Sequence, residues 1–266
     1  MVKILFIMFQ GAGTNLKAWN EYTKSKFLDR LKRVGSVYTY QDKTHNIWHY
    51  NTSDPEHKDF GKSTDIDLSY VRPDTHVKMV YKAMQTKYKK LESYSLVPVG
   101  FSAGCFLALY FAQTYASRCV RVVLLDPALW TPNNMKIRLK IMDDGIYPIT
   151  KPKYKKMIKS WKNDHTHVED AYKINNLNHY IRSLFISQHL SLKLPVPTLA
   201  FVNIQEVEGA EWSIDFNNER RLAEVQILEK HNPTNYEAFI FKNKTHYIFD
   251  TVRPAIAIIK QIKASI

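Results

Sequence analysis

An α/β fold, a mainly parallel central sheet flanked by helices and carrying an inserted helical cap, is the architecture this sequence predicts. Three observations lead there. Short apolar, β-branched runs alternate with longer helical patterns, the βα rhythm of parallel sheets. The strand-like runs are apolar almost without interruption, as strands covered on both faces must be. One long stretch, residues 129–194, falls between two strands and has helical patterns of its own, which an inserted cap explains.

Strands are expected at residues 3–9, 36–40, 95–99, 121–125, 198–204 and 238–242. Helices are expected near 16–33, 74–91, 103–115, 219–230 and 254–263. Residues 41–72 form a polar connection bearing His and Asp, longer than an ordinary βα loop and suited to a surface loop or a site rim. The expected organisation is a core of residues 1–128 and 195–266 with the cap at 129–194. A chain of 266 residues suits one such core. Apolar residues make up 45% of it, enough for burial to offset chain entropy.

The opening apolar run, Ile4 to Phe9, is shorter than the ~7–15 residues of a signal-peptide core, so a buried strand is the better reading. No stretch approaches the ~20 apolar residues of a bilayer span. The two cysteines, Cys105 and Cys119, fall in an expected helix and at an expected strand, so reduced thiols and a cytoplasmic address follow.

Lys and Arg outnumber Asp and Glu by 38 to 25, a formal charge of +13. Nucleic acid is not implied, because there is no RNP-type aromatic motif, zinc-finger spacing or Arg-rich arm. The excess is concentrated: residues 130–193 hold 12 Lys or Arg against five Asp or Glu, seven of the thirteen.

Gly100-Phe101-Ser102-Ala103-Gly104 matches G-x-S-x-G, follows an expected strand and opens an expected helix. That context is required, because the serine must stand on a sharp, strained turn where flanking side chains would strike backbone. Ser102 is therefore the candidate nucleophile. His246 follows the last expected strand and is the candidate base; the other nine histidines lie before Ser102, in the cap or at a helix end. The acid belongs at the end of the strand at 198–204, where Glu206 is preferred. Glu208, Glu211 and Asp215 compete with it there, and Asp126 competes at the end of the preceding strand. Two backbone N–H groups must meet the oxyanion: that of Ala103, next to the nucleophile, and one from the glycine loop Gln10-Gly11-Ala12-Gly13-Thr14, where Ala12 is preferred and Gly13 is the alternative.

The same glycines invite a dinucleotide reading, but Leu16 stands where a third Gly is needed, and Gln41 rather than an acid follows Tyr40. His165, His167 and Glu169 suggest a metal site without a specified third protein position, and the chemistry requires no metal.

Glycine loop, G-x-S-x-G, late acid and late histidine together resemble the α/β-hydrolase superfamily over essentially the whole chain. The resemblance implies an eight-stranded sheet, a cap after the sixth strand and no cofactor. Gln10-Gly11 departs from the frequent His-Gly turn, and Asn203 and Glu206 stand where a Gly and an Asp are usual. A serine at the elbow argues against the dehalogenase and epoxide-hydrolase branches. The expected function is hydrolysis of a carboxylic ester or thioester through an acyl-enzyme, on a small, anionic or amphipathic substrate. Trp130, Tyr147, Tyr154, Trp161, Tyr172, Tyr180 and Phe185 are available to wall an acyl pocket or to form the cap's own core. The competing expectation is a non-catalytic binding protein that uses the basic cap to hold an acidic partner.

Overall fold

The computed structural model describes residues 3–11, 19–20, 24–40, 72–127, 191–204, 212–242 and 248–266, with backbone alone at 212–217 and 220. These form a six-stranded, wholly parallel sheet with helices on both faces. The strands are β1 (Lys3–Phe9), β2 (Ser36–Tyr38), β3 (Tyr94–Phe101), β4 (Val122–Leu125), β5 (Thr198–Ile204) and β6 (Tyr236–Lys242). The helices are α1 (Phe27–Leu31), α2 (Pro73–Lys87), α3 (Gly104–Thr114), α4 (Trp212–His231) and α5 (Val252–Ser265).

The apolar runs become strands because the sheet is covered on both sides. In β1, Leu5, Ile7 and Phe9 join one core layer while Phe6 and Met8 join the other, and all five are fully buried. β4 divides the same way, with Val122 and Leu124 on the first face and Val123 and Leu125 on the second. α3 lies on the first face and is apolar on nearly every side, as a helix sealed between sheet and neighbours has to be. α5 covers the second face with Ala255, Ile258 and Ile262, a stripe at helical spacing. There Trp19, Phe27, Phe101 and Phe249 pack as one aromatic group, the Phe249 ring 5.0 Å from Phe101 and 5.3 Å from Trp19.

The strand order β2-β1-β3-β4-β5-β6 decides where a site can be built. From β1 the chain steps outward to β2 and then crosses back to β3, so the direction of winding reverses between β1 and β3. The helix after β1, α1, packs on the second face and the helix after β3, α3, on the first, so the C-terminal ends of these two strands mark the usual ligand position of open parallel sheets.

Several expected bounds need adjustment, among them the helix expected from 219, which starts at Trp212, and the helix expected to reach 91, which ends at Lys87. The stretch 16–33 is not one helix: Lys26 has φ 49°, which breaks any helix running through it, and α1 occupies only Phe27–Leu31. β2 stops at Tyr38 rather than 40, since its pairing with β1 ends there. β6 begins at Tyr236, two residues early, because its pairing with β5 starts opposite Thr198. The cap expected at 129–194 lies outside the described residues except for 191–194. There Asn232, just past α4, accepts the Leu194 N–H at 2.7 Å and donates to the Leu192 carbonyl at 2.8 Å, pinning the chain where it approaches β5.

No described helix is long and apolar enough to cross a membrane. Cys105 and Cys119 are free and buried.

Candidate active site

Ser102 sits at the C-terminal end of β3, next to the end of β1. Its φ is 51°, a left-handed conformation that a residue with a Cβ adopts only under constraint. The constraint is visible on both sides. The Ser102 N–H donates to the Leu125 carbonyl at 3.0 Å, tying the turn to β4, and its own carbonyl accepts the Cys105 N–H at 3.1 Å, starting α3. Strand, turn and helix are thus joined in three residues.

The flanking glycines are required by contact. A Cβ on Gly100 would overlap the Cys105 Cα and lie 2.7 Å from its nitrogen. A Cβ on Gly104 would overlap the carbonyl oxygens of Phe9 and Gln10. Backbone cannot yield as a flexible side chain does, so both positions exclude any other residue unless the turn moves. The second contact also shows that α3 starts directly against the end of β1.

The first residues past β1, Gln10 and Gly11, lie against the serine turn. A Cβ built on Gly11 would stand 3.2 Å from the Ser102 Cβ and 2.9 Å from the Phe101 ring, and Gln10 is buried. Gly11 and Ser102 are therefore close neighbours at the C-terminal ends of β1 and β3. Ala103 is buried and already helical, at φ −60° and ψ −26°, so it heads α3 immediately after the serine. An N–H at a helix N-terminus has no carbonyl behind it to bond within the helix.

Cys105 is not a rival nucleophile. Burial pushes its thiol well above its ordinary pKa, and its Sγ lies 3.7 Å from the Leu125 carbonyl. Cys119 is raised to about 12, again by burial.

Asp126 occupies the corresponding position on the next strand. It is fully buried, has φ 43°, and its N–H donates to the Phe201 carbonyl at 2.7 Å. One carboxylate oxygen accepts the Asn203 N–H at 3.0 Å, and the other lies 3.2 Å from the Arg221 guanidinium. Arg221 was not anticipated in the sequence. The signal available was its spacing: with Glu224, Val225 and Leu228 it makes a buried stripe at i, i+3, i+4 and i+7 on α4.

Of the remaining expected residues, Asp215 falls in the first turn of α4, where only backbone is described. Ala12, Gly13, Glu206, Glu208, Glu211 and His246 lie outside the described residues, as do His165, His167 and Glu169. His76, set aside because it precedes the serine, is a buried core histidine whose Nε2 is 2.7 Å from the Tyr40 hydroxyl.

Solved structures share this architecture. A monoacylglycerol lipase from Paleococcus ferrophilus aligns over 98% of this chain and 95% of its own at 14% identity, with a TM-score of 0.54. A soluble variant of the monoglyceride lipase of Saccharomyces cerevisiae gives 0.56 at 14% identity, over 99% of this chain and 85% of its own. The chain has the α/β-hydrolase fold. A third α/β-hydrolase-fold structure, the RedJ thioesterase of the prodiginine biosynthetic pathway in Streptomyces coelicolor, aligns over 99% of this chain and 90% of its own at 11% identity, with a TM-score of 0.55. No family model and no curated protein matches the sequence. At these identities the likeness is one of fold, and the chemistry has to be argued from the residues.

Proposed function

We propose that this chain is a serine hydrolase that cleaves a carboxylic ester or thioester through an acyl-enzyme. The observation that carries the proposal is Ser102 itself, held left-handed between β3 and α3 at the reversal of strand order, with Gly11 beside its Cβ. A strained serine gains nothing for the fold that a glycine would not supply more cheaply.

In this reading His246 takes the Ser102 proton as Oγ attacks the substrate carbonyl. The N–H groups of Ala103 and Ala12 receive the oxyanion. His246 then protonates the leaving alcohol or thiol, and water repeats the sequence to release the acid and free the serine. The aromatic group supports the choice of base: Phe249 is buried against Phe101, the residue before Ser102, and His246 precedes Phe249 by three residues, a reach of roughly 11 Å at most. For the acid, Asp126 already has its charge balanced by Arg221, which favours an acid elsewhere, and Glu206 is the choice. The free, buried thiols fit a cytoplasmic protein.

A fluorophosphonate probe should label the protein once, on the peptide containing Ser102, with labelling lost after denaturation. A folded protein that neither labels nor hydrolyses short esters would leave the binding-protein alternative, with its basic segment holding an acidic partner.

Residues 129–194 are proposed to choose the substrate rather than to perform chemistry, since Ser102, His246, Glu206, Ala103 and Ala12 all lie outside them. Seven excess positive charges at a site entrance would draw an anionic or amphipathic acyl compound. The kcat/KM for an anionic thioester is then expected to fall with added salt, while that for a neutral ester of equal chain length stays level. Charge reversal of the lysines in 151–162 should weaken the first and spare the second. Equal salt response for both would return these lysines to a solvated surface.

A further inference from the structure

We propose that Arg221 is a positioning residue for the catalytic acid, fixing the exit of β5 three residues before Glu206; this rests on the triad reading above.

The observation is a closed ring of buried polar contacts at the C-terminal ends of β4 and β5. The Arg221 Nη2 lies 3.2 Å from one oxygen of Asp126, and its Nη1 donates to the Asn203 carbonyl at 3.0 Å. The Asn203 N–H donates to the other oxygen of Asp126 at 3.0 Å. Asp126 and Asn203 are fully buried and Arg221 nearly so. One guanidinium thus holds both the carboxylate just past β4 and the last peptide of β5.

Strand register explains why the ring is built there. The Val122 N–H donates to the Pro197 carbonyl and the Asp126 N–H to the Phe201 carbonyl, so the next rung of the ladder would join the Asn203 N–H to the main-chain carbonyl of Asp126. At φ 43° the chain turns aside, and the Asp126 side chain takes that rung in its place. The rung lies beside the nucleophile, because the Leu125 carbonyl accepts the Ser102 N–H. β5 is therefore held in register past the end of β4 as far as Asn203, three residues before Glu206 in the chain.

A buried ion pair is an inefficient way to stabilise a fold, since apolar residues of similar volume often serve as well. What the guanidinium adds is direction: a planar fork that fixes two acceptors at once, which a lysine cannot reproduce. A carboxylate that must meet one imidazole nitrogen needs its supporting backbone fixed, and a misplacement near 1 Å costs up to ~10²-fold in rate.

The test is a cycle with Arg221→Met, Glu206→Gln and the double variant, measured as kcat, KM and the pH dependence of kcat/KM, below the thermal midpoint of each. Arg221→Met is expected to lower kcat by ~10- to 100-fold with KM within about twofold. In the Glu206→Gln background the same change should cost less than about threefold, because a positioning residue has nothing left to position. The histidine limb of the pH profile decides between mechanisms. If Arg221 acts through Glu206, its loss loosens the carboxylate that favours the imidazolium, and the apparent pKa falls. If Arg221 acts as a nearby cation, its loss relieves the imidazolium and the apparent pKa rises.

An equal rate loss in both backgrounds, or a rising pKa, would overturn the proposal. Should Arg221→Met fail to fold, Arg221→Lys serves in the same cycle, with a loss of about three- to tenfold expected in the parent and none beside Glu206→Gln. Activity retained in Ser102→Ala would bring down the whole site. Loss in Ser102→Ala and Glu206→Gln with an additive Arg221 cycle brings down Arg221 alone. A near-parental Glu206→Gln removes the acid on which Arg221 is said to act, and the proposal with it.

Discussion

Ser102→Ala is expected to lower hydrolysis of short esters by at least ~10³-fold and to abolish fluorophosphonate labelling, with the thermal midpoint close to that of the parent. The fold should survive because the turn is held by backbone: the Ser102 N–H to Leu125, the Ser102 carbonyl to Cys105, and two glycines that let strand and helix approach. Alanine keeps the Cβ that already fits there and removes only Oγ. A variant that loses activity and unfolds as well would not identify a nucleophile; one that stays folded and inert would. His246→Ala should match it in size, and the parent's kcat/KM should rise with pH through an ionisation near ~7, since only neutral imidazole accepts the serine proton. Residual turnover above a tenth of the parent in Ser102→Ala would end the assignment.

The parts of this molecule legible in the sequence are those decided by local pattern. β1, β3, β4 and β5 are apolar runs because both faces of the sheet are covered, and a run buried on both faces needs no partner to be recognised. The turn at Ser102 was legible because Gly100 and Gly104 are forced by contacts within five residues and with the end of β1. What was not legible depends on partners distant in the chain. Leu16, Trp19, Phe27 and Leu31 suggest a helical face, and lysine is a good helix former, yet Lys26 is left-handed and, among the described residues of this stretch, the α-helix is Phe27–Leu31. Arg221 in Asn217-Asn218-Glu219-Arg220-Arg221 looks like a solvated helix surface. It is buried because its partners, Asp126 and the Asn203 carbonyl, are brought beneath α4 by the sheet, and nothing near residue 221 announces them. Glu206 follows β5, which the described residues carry to Ile204, and Asp126, the competing acid, has its charge met by Arg221, a pairing that no local pattern reveals.

Exchange of each candidate acid for its amide is the measurement that separates them, and two distinct losses are expected. Glu206→Gln should cost several orders of magnitude in kcat with little change in thermal midpoint. An amide in that place presents its N–H₂ or a weak acceptor to the histidine, favours the wrong tautomer and cannot balance the imidazolium. Asp126→Asn should act on stability instead. It removes the anion facing a buried guanidinium, and breaking a buried pair by neutralising one partner costs up to about 3–5 kcal/mol. The amide can still accept the Asn203 N–H, so the variant is expected to fold with a markedly lower midpoint, and below it to keep activity within ~10- to 100-fold of the parent, the range of a displaced support. Glu208→Gln, Glu211→Gln and Asp215→Asn should stay within a few-fold in rate, since with Glu206 as the acid they take no part in proton transfer. The reverse pattern, near-parental turnover in Glu206→Gln and a loss of several orders in a folded Asp126→Asn, would move the acid to the end of β4, and Arg221 would then face the catalytic carboxylate itself.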